Sequence, residues 1–180
     1  DQSYSPATRL LFTLTWAGLG GRTRLLDGGM GAWTRAGLPM TTALPAITTG
    51  TLAPLTTRAE VVDAEFVQSI PSKPNVVLVD ARDTSFYAGD APYDRQAEVK
   101  VFGHIPGALS IPFSSLFNAS EALRPTDELE AIFAKAGVKP GDTVVTYCFI
   151  GQQATATLLA ARALGHDVRL YDGSMNDWIR

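Results

Sequence analysis

The chain has 180 residues and a formal net charge of -3 with both signs scattered along it, so it offers no basic stripe for nucleic acid. Its longest uncharged apolar stretch, Leu10 to Gly21, falls short of the roughly 20 residues that a membrane-spanning helix requires. One cysteine cannot staple the fold and two histidines make no zinc-type cluster, so neither a disulfide nor a metal is expected. This length suits one domain, or one domain with part of another. The chain opens on DQSYSP, without a methionine or a signal-peptide pattern, and reads as an interior piece of something longer. A reducing compartment, the cytoplasm, is the easier home for a reactive thiol.

An internal repeat organises the chain. Residues 1 to 35 align without gaps on residues 146 to 180 with ten identities, among them Leu19/Leu164, Gly20/Gly165 and Arg24/Arg169. LLDGGMGAW at Leu25 to Trp33 faces LYDGSMNDW at Leu170 to Trp178. Each copy reads as a helix, a glycine stop, a short strand, then an Asp-Gly turn into a helix carrying a tryptophan. Ser5 and Pro6 suit the start of the first copy's helix, which the pattern carries to about Ala17. Three parts follow: the C-terminal part of one domain at 1–37, an extended linker rich in Thr, Pro, Ala and Gly at 38–57, and nearly all of a second domain at 58–180.

Within the second domain, Asp63 can cap a short amphipathic helix reaching about Ile70. Val76 to Asp80, VVLVD, is an apolar run typical of a strand covered on both faces. Phe86 to Val101 has no periodicity and reads as a surface excursion, and Ala108 to Ile111 is the next short strand. Thr126 is placed to cap a helix from Asp127 to Ala136, where Leu129, Ile132 and Phe133 form one stripe before Gly137. Thr143 to Tyr147 is a strand that delivers Cys148. Strands alternating with helices predict an α/β fold, a parallel sheet with helices on both faces and ligands at the carboxyl ends of its strands.

Cys148 stands at such an end, in YCFIGQQA, where the loop feeds a helix N-terminus. Backbone N–H groups and the positive helix end converge there, an arrangement that suits a sulfur anion or any anion bound beside it. Gly151 can take positive φ and so curl successive N–H groups of Phe149, Ile150, Gly151, Gln152, Gln153 and Ala154 into a nest. Gln152 and Gln153 add neutral amide donors, or are solvated helix-entry residues. The alternative for Cys148 is a small hydrophobe packed in a core. The first copy has Ser3 opposite Cys148, so it cannot use the same nucleophile.

Taken in order and spacing, VDAR at Val79 to Arg82, GHIPGALSIP at Gly103 to Pro112, YCFIGQQA at Tyr147 to Ala154 and YDGSMNDW at Tyr171 to Trp178 resemble a tandem rhodanese. The resemblance implies a thiosulfate or 3-mercaptopyruvate sulfurtransferase with an inactive first domain and an active second one. It implies that Cys148 takes a sulfane sulfur from a donor, thiosulfate being favoured, holds it as a persulfide and passes it to a thiophilic acceptor such as cyanide, a thiol or a protein. It implies neither metal nor organic cofactor. Thiosulfate-using members often carry basic residues directly after the cysteine and mercaptopyruvate-using members small ones, whereas this chain has Phe149 and Ile150. Arg82 is the nearest basic residue in the matching motifs, with donor binding or a bracing ion pair open to it. Asp80 reads as a loop anchor, and His104 as a turn residue bonded to backbone.

Two other classes compete. A cysteine phosphatase or arsenate reductase with a C-x5-R loop needs an arginine at the position Ala154 occupies, so this chain lacks the guanidinium that would hold a phosphoryl transition state. A non-catalytic module that carries persulfide or docks a partner is the other alternative, and the presence of Cys148 argues against it.

Overall fold

The computed structural model describes residues 5–94 and 100–180. Ser3, the counterpart of Cys148 in the repeat, lies outside them. The first helix, α1 (Ser5–Leu14), continues through a π turn at Thr15–Leu19 that is broken at Gly18, slightly beyond the predicted end at Ala17. The next helix, α2 (Gly29–Arg35), follows the Asp-Gly turn as the repeat predicts. The strand expected between them is not formed: residues 23–26 lack regular structure. A strand needs a neighbour to satisfy its backbone, and among the described residues this segment has none. Residues 38–57 carry no regular secondary structure and are exposed throughout.

Two residues, Val61–Val62, form β1, and α3 (Ala64–Ser69) follows with the Asp63 carboxylate accepting from the Phe66 amide at 2.8 Å. Then come β2 (Val76–Asp80) and α4 (Thr84–Ala88). The stretch from Phe86 to Val101, expected to be patternless, thus begins inside a helix. It also holds an antiparallel pair, β3 (Tyr93–Asp94) with β4 (Lys100–Val101). A five-residue helix and two-residue strands are shorter than the windows over which hydrophobic periods emerge.

The remaining elements are β5 (Leu109–Ser110), α5 (Thr126–Ala136), β6 (Thr143–Tyr147), α6 (Ala154–Ala163), β7 (Val168–Tyr171) and α7 (Ser174–Trp178). Thr126 is the first residue of α5 rather than its cap; Pro125 holds the cap position and no side chain caps the helix. Pro125 already has the extended backbone that precedes a helix, and its ring fixes φ there.

Five strands form one parallel sheet in the order β1-β7-β6-β2-β5. Alternate residues feed two cores. Val79, Val144 and Leu170 meet Phe12, Leu129, Phe133 and Leu158 on one face. Leu78, Val145, Tyr147 and Tyr171 meet Val67, Ile70, Ile105 and Met175 on the other. Covering on both faces explains why β2 and β6 read as continuous apolar runs. On the first face α1 lies against α6, with Phe12 5% exposed and the hydroxyls of Thr8 and Thr155 2.9 Å apart. No helix among the described residues is long and apolar enough to cross a membrane.

Candidate active site

Strand β6 lies between β7 and β2, and Tyr147 ends it in register with Asp80 at the end of β2. Just beyond, Cys148 has 1% of its surface exposed and lies at the edge of a cavity of about 350 Å³. Ser5, Tyr93, Phe149, Ile150, Gln152 and Gln153 complete its lining. The thiol is therefore both a packed core atom and the floor of a cleft at the carboxyl end of a parallel sheet. Among the residues expected to form the site, Cys148, Phe149, Ile150, Gln152 and Gln153 are brought together on this cavity. Gly151 shapes the loop, whereas Ala154 is fully buried at the start of α6 and Arg82 does not line the cavity.

The loop is suspended from its outer side. The Cys148 carbonyl accepts from the Met175 amide at 3.1 Å, and the Phe149 carbonyl from the Asn176 amide at 3.0 Å. The Cys148 amide donates to Ser174 Oγ at 3.1 Å. All three anchors come from the first residues of α7, which places the YDGSMNDW segment of the repeat directly against the thiol loop. By contrast, the backbone N–H groups of Phe149, Ile150, Gly151, Gln152 and Gln153 donate to no acceptor among the described residues. Unspent amides around a sulfur are what an anion-stabilising cradle requires.

Gly151 adopts φ +79°, and an added Cβ would lie 2.9 Å from the Asp172 carbonyl oxygen. Glycine is needed there twice over, for the left-handed backbone and for the close approach of the β7–α7 turn. Gln152 Nε2 donates to Ser5 Oγ at 3.2 Å, while the buried Oε1 of Gln153 has no partner among the described residues.

Two arginines flank the loop, and each faces a carboxylate. Arg82 is 1% exposed; its Nε and Nη2 donate to Asp80 at 3.0 and 2.5 Å, and Nη2 also donates to the Gly103 carbonyl at 2.8 Å. Its guanidinium lies 5.3 Å from the Phe149 ring centroid, so Arg82 supports the cavity wall from behind. Phe86 meets the same ring edge-on at 4.8 Å and Tyr93 at a tilt at 4.7 Å. Burial opposes the charge on Arg82, but the hydrogen bonds and charge of Asp80 outweigh it and hold the guanidinium above its ordinary pKa. Tyr147 donates to Asp80 Oδ2 at 2.8 Å, and burial, followed by the charge of Asp80, pushes its phenol well above the usual range. The phenol thus keeps its proton on Asp80 at ordinary pH.

Arg9 is the second arginine. From α1 it donates through both terminal nitrogens to Asp172 and through Nη1 to the Gly151 carbonyl at 3.3 Å. His104 takes the position expected of it, with Nδ1 2.8 Å from the Tyr87 carbonyl and its ring stacked on Tyr87.

Arg9, Ser5 and Tyr93 are the site residues that sequence reasoning missed. Tyr93 sits in the stretch without periodicity, where nothing signals it. Arg9 and Ser5 had a usable signal: the repeat pairs α1 with α6, and packing these equivalents side by side brings α1 to the loop that precedes α6.

A loop of free amides around a lone cysteine, after the central strand of a parallel sheet, coincides with the family finding: the rhodanese-like domain profile matches residues 63–180. The chain belongs to the rhodanese-like family. It is 32% identical over 176 residues to a probable 3-mercaptopyruvate sulfurtransferase of Pseudomonas aeruginosa, covering 96% of this chain and 60% of that protein. It is 31% identical over 155 residues to a thiosulfate sulfurtransferase of the same organism, covering 85% of this chain and 55% of that protein. Among solved structures it resembles a variant of EanB in complex with ergothioneine covalently linked to a cysteine persulfide, with a TM-score of 0.86 and 27% identity. That match covers 99% of this chain and 44% of EanB. The rhodanese-like chain therefore spans about half of the relatives it matches.

Proposed function

We propose that this rhodanese-like chain is the catalytic part of a sulfurtransferase in which Cys148 carries the transferred sulfur as a persulfide. The observation that carries this reading is the set of loop amides, from Phe149 to Gln153, without an acceptor among the described residues, beside a single thiol that lines a cavity. With thiosulfate, the sulfur anion of Cys148 attacks the sulfane sulfur, the S–S bond of the donor breaks, and sulfite leaves with the electron pair. The outer sulfur of the resulting Cys–S–S⁻ bears the negative charge that the loop amides can stabilise. An acceptor thiolate or cyanide then attacks that sulfur, and the Cys148 thiolate departs. The persulfide seen in a structural relative supports the same intermediate here. Ser3, as the counterpart of Cys148, supplies no nucleophile, which supports an inactive first domain joined to the active one through residues 38–57.

The test is intact-mass spectrometry of the protein after treatment with thiosulfate or 3-mercaptopyruvate. A gain of one sulfur, removed by cyanide with release of thiocyanate, is expected. A thiol that stays unmodified with either donor would leave a partner-docking module as the better reading.

The cavity also bears on the donor. Its described lining is Tyr93, Phe149 and Ile150 with a hydroxyl and two neutral amides, and both nearby arginines are engaged by carboxylates. A donor with one charge and an organic body, such as 3-mercaptopyruvate, or a protein-bound sulfur, fits that lining better than the thiosulfate dianion. Ile150 is 58% exposed at the rim, so Ile150→Arg adds a cation without emptying a core. The variant is expected to lower KM for thiosulfate several-fold, with the gain shrinking at high salt and the melting midpoint unchanged. Steady-state kinetics with thiosulfate, 3-mercaptopyruvate and an uncharged sulfane-sulfur donor at two salt concentrations check this. Equal gains for thiosulfate and for an uncharged donor would reject the charge argument.

A further inference from the structure

We propose that Arg9, contributed by the N-terminal segment, is a positioning residue that holds the Cys148 loop in its anion-binding shape; this rests on the persulfide reading above. A trans peptide directs its N–H opposite to its C=O, and the chain contains no cis peptide among the described residues. A carbonyl pinned from outside the loop therefore turns the next residue's N–H inward. Three loop carbonyls are pinned this way: Cys148 by the Met175 amide, Phe149 by the Asn176 amide, and Gly151 by Arg9 Nη1. The N–H groups so directed belong to Phe149, Ile150 and Gln152, and none of them has a protein acceptor among the described residues.

Two of the three pins are backbone amides of α7 and belong to the domain that bears the thiol. The third is a side chain 142 residues earlier in sequence than the carbonyl it holds. It acts on the glycine whose positive φ lets the loop turn, the point at which the backbone, lacking a Cβ, is most free to rotate. Asp172 fixes the guanidinium from the other side, and it belongs to the β7–α7 turn just before the helix that supplies the two backbone pins. Asp172, Gly151 and Arg9 thus close into a clamp joining α1, the thiol loop and that turn.

The electrostatics agree with the geometry. Arg9 is held above its ordinary pKa first by its hydrogen bond to Asp172, against the cost of burial, and then by the charges of Asp172 and of Cys148. A cation that senses negative charge at the sulfur attracts an anionic sulfur, or an anionic reagent, in return. The second carboxylate-bound arginine, Arg82, lacks this geometry: it braces the Phe149 ring and pins no loop carbonyl between 148 and 153.

The test uses the full-length protein with Arg9→Met, which keeps the aliphatic body and removes charge and donors, and Arg9→Lys, which keeps the charge. Cys148 is alkylated with anionic iodoacetate and with neutral iodoacetamide, and the ratio of the two rates reads the cradle directly. A merely structural role would change both rates together. Arg9→Met is expected to lower the iodoacetate-to-iodoacetamide ratio and kcat at saturating donor by on the order of tenfold each, with Arg9→Lys recovering part of both. If Arg9→Met melts early, Asp172→Asn, which frees Arg9 from its partner, must lower the ratio in the same direction. An unchanged ratio in Arg9→Met, or in Asp172→Asn where that variant stands in, overturns the proposal. The ratio is measurable even if the parent forms no persulfide, so failure of the sulfurtransferase reading and failure of the Arg9 clamp are separate outcomes.

Discussion

Cys148→Ser is expected to give a protein that melts close to the parent and accepts no sulfur from either thiosulfate or 3-mercaptopyruvate. The substitution exchanges one small buried side chain for another, so packing between β6 and α6 changes little. Its backbone role is untouched, because the Cys148 amide and carbonyl bind Ser174 and Met175 whatever the side chain is. Chemistry changes completely: a serine hydroxyl remains protonated and is a poor nucleophile toward sulfur without a base to activate it. His104, the histidine within the matching motifs, does not line the cavity beside Cys148 and so is not placed to serve as that base. Loss of thiocyanate formation by at least about a thousandfold, beside an unchanged melting midpoint, is the expected pair of results. Thiocyanate production near the parent rate would place the sulfur-carrying group elsewhere.

The elements that sequence reasoning located well are those whose burial imposes a period. VVLVD and TVVTY are sandwiched between two cores, so most positions in them are apolar, and their limits in the structure are those expected from the sequence. The helix ending at Gly137 and the one beginning at Ala154 were legible for the same reason. Residues 23–26 show the limit. They match the sequence of β7, yet a strand is a property of a pair, and β7 is a strand because β1 and β6 flank it. The same pattern without neighbours stays irregular.

The thiol loop was legible because glycine at 151 and a strand-to-helix junction are local features. What surrounds it was not. Tyr93 reaches the cavity from a two-residue strand, and Arg9 reaches the thiol loop from α1, 142 residues before the carbonyl it holds. Neither position has a local signature, since each matters only through a contact made across more than fifty residues of chain. Arg82 illustrates the converse case. Its motif marked it correctly as close to the site, but only the geometry places its guanidinium on Asp80 behind the Phe149 ring rather than on the cavity side.

That buried pair carries the largest stability effect expected. Asp80→Ala leaves the Arg82 guanidinium, 1% exposed, with the Gly103 carbonyl and the faces of Tyr147 and Phe149, and no counter-charge. The Tyr147 hydroxyl loses its acceptor and the Arg82 amide loses a hydrogen bond of 2.9 Å. Removing one member of a buried ion pair costs about 3–5 kcal/mol, chiefly because the other charge stays buried without compensation. For a chain of this size that corresponds to a fall of roughly 10 °C or more in the melting midpoint. Removing both charges should cost less than removing the carboxylate alone, since a methionine at 82 can fill the space against the Phe149 ring without a charge to solvate. Asp80→Ala/Arg82→Met is therefore expected to melt above Asp80→Ala, although it carries one more substitution. Sulfur transfer should follow the same order, because Tyr147 precedes the thiol directly and Phe149 follows it, and both lean on this pair. Thermal melts of the two single variants and the double variant give the coupling energy. Additive effects would mean that Asp80 and Arg82 act as independent packing groups, and that the wall of the cavity does not depend on their charge.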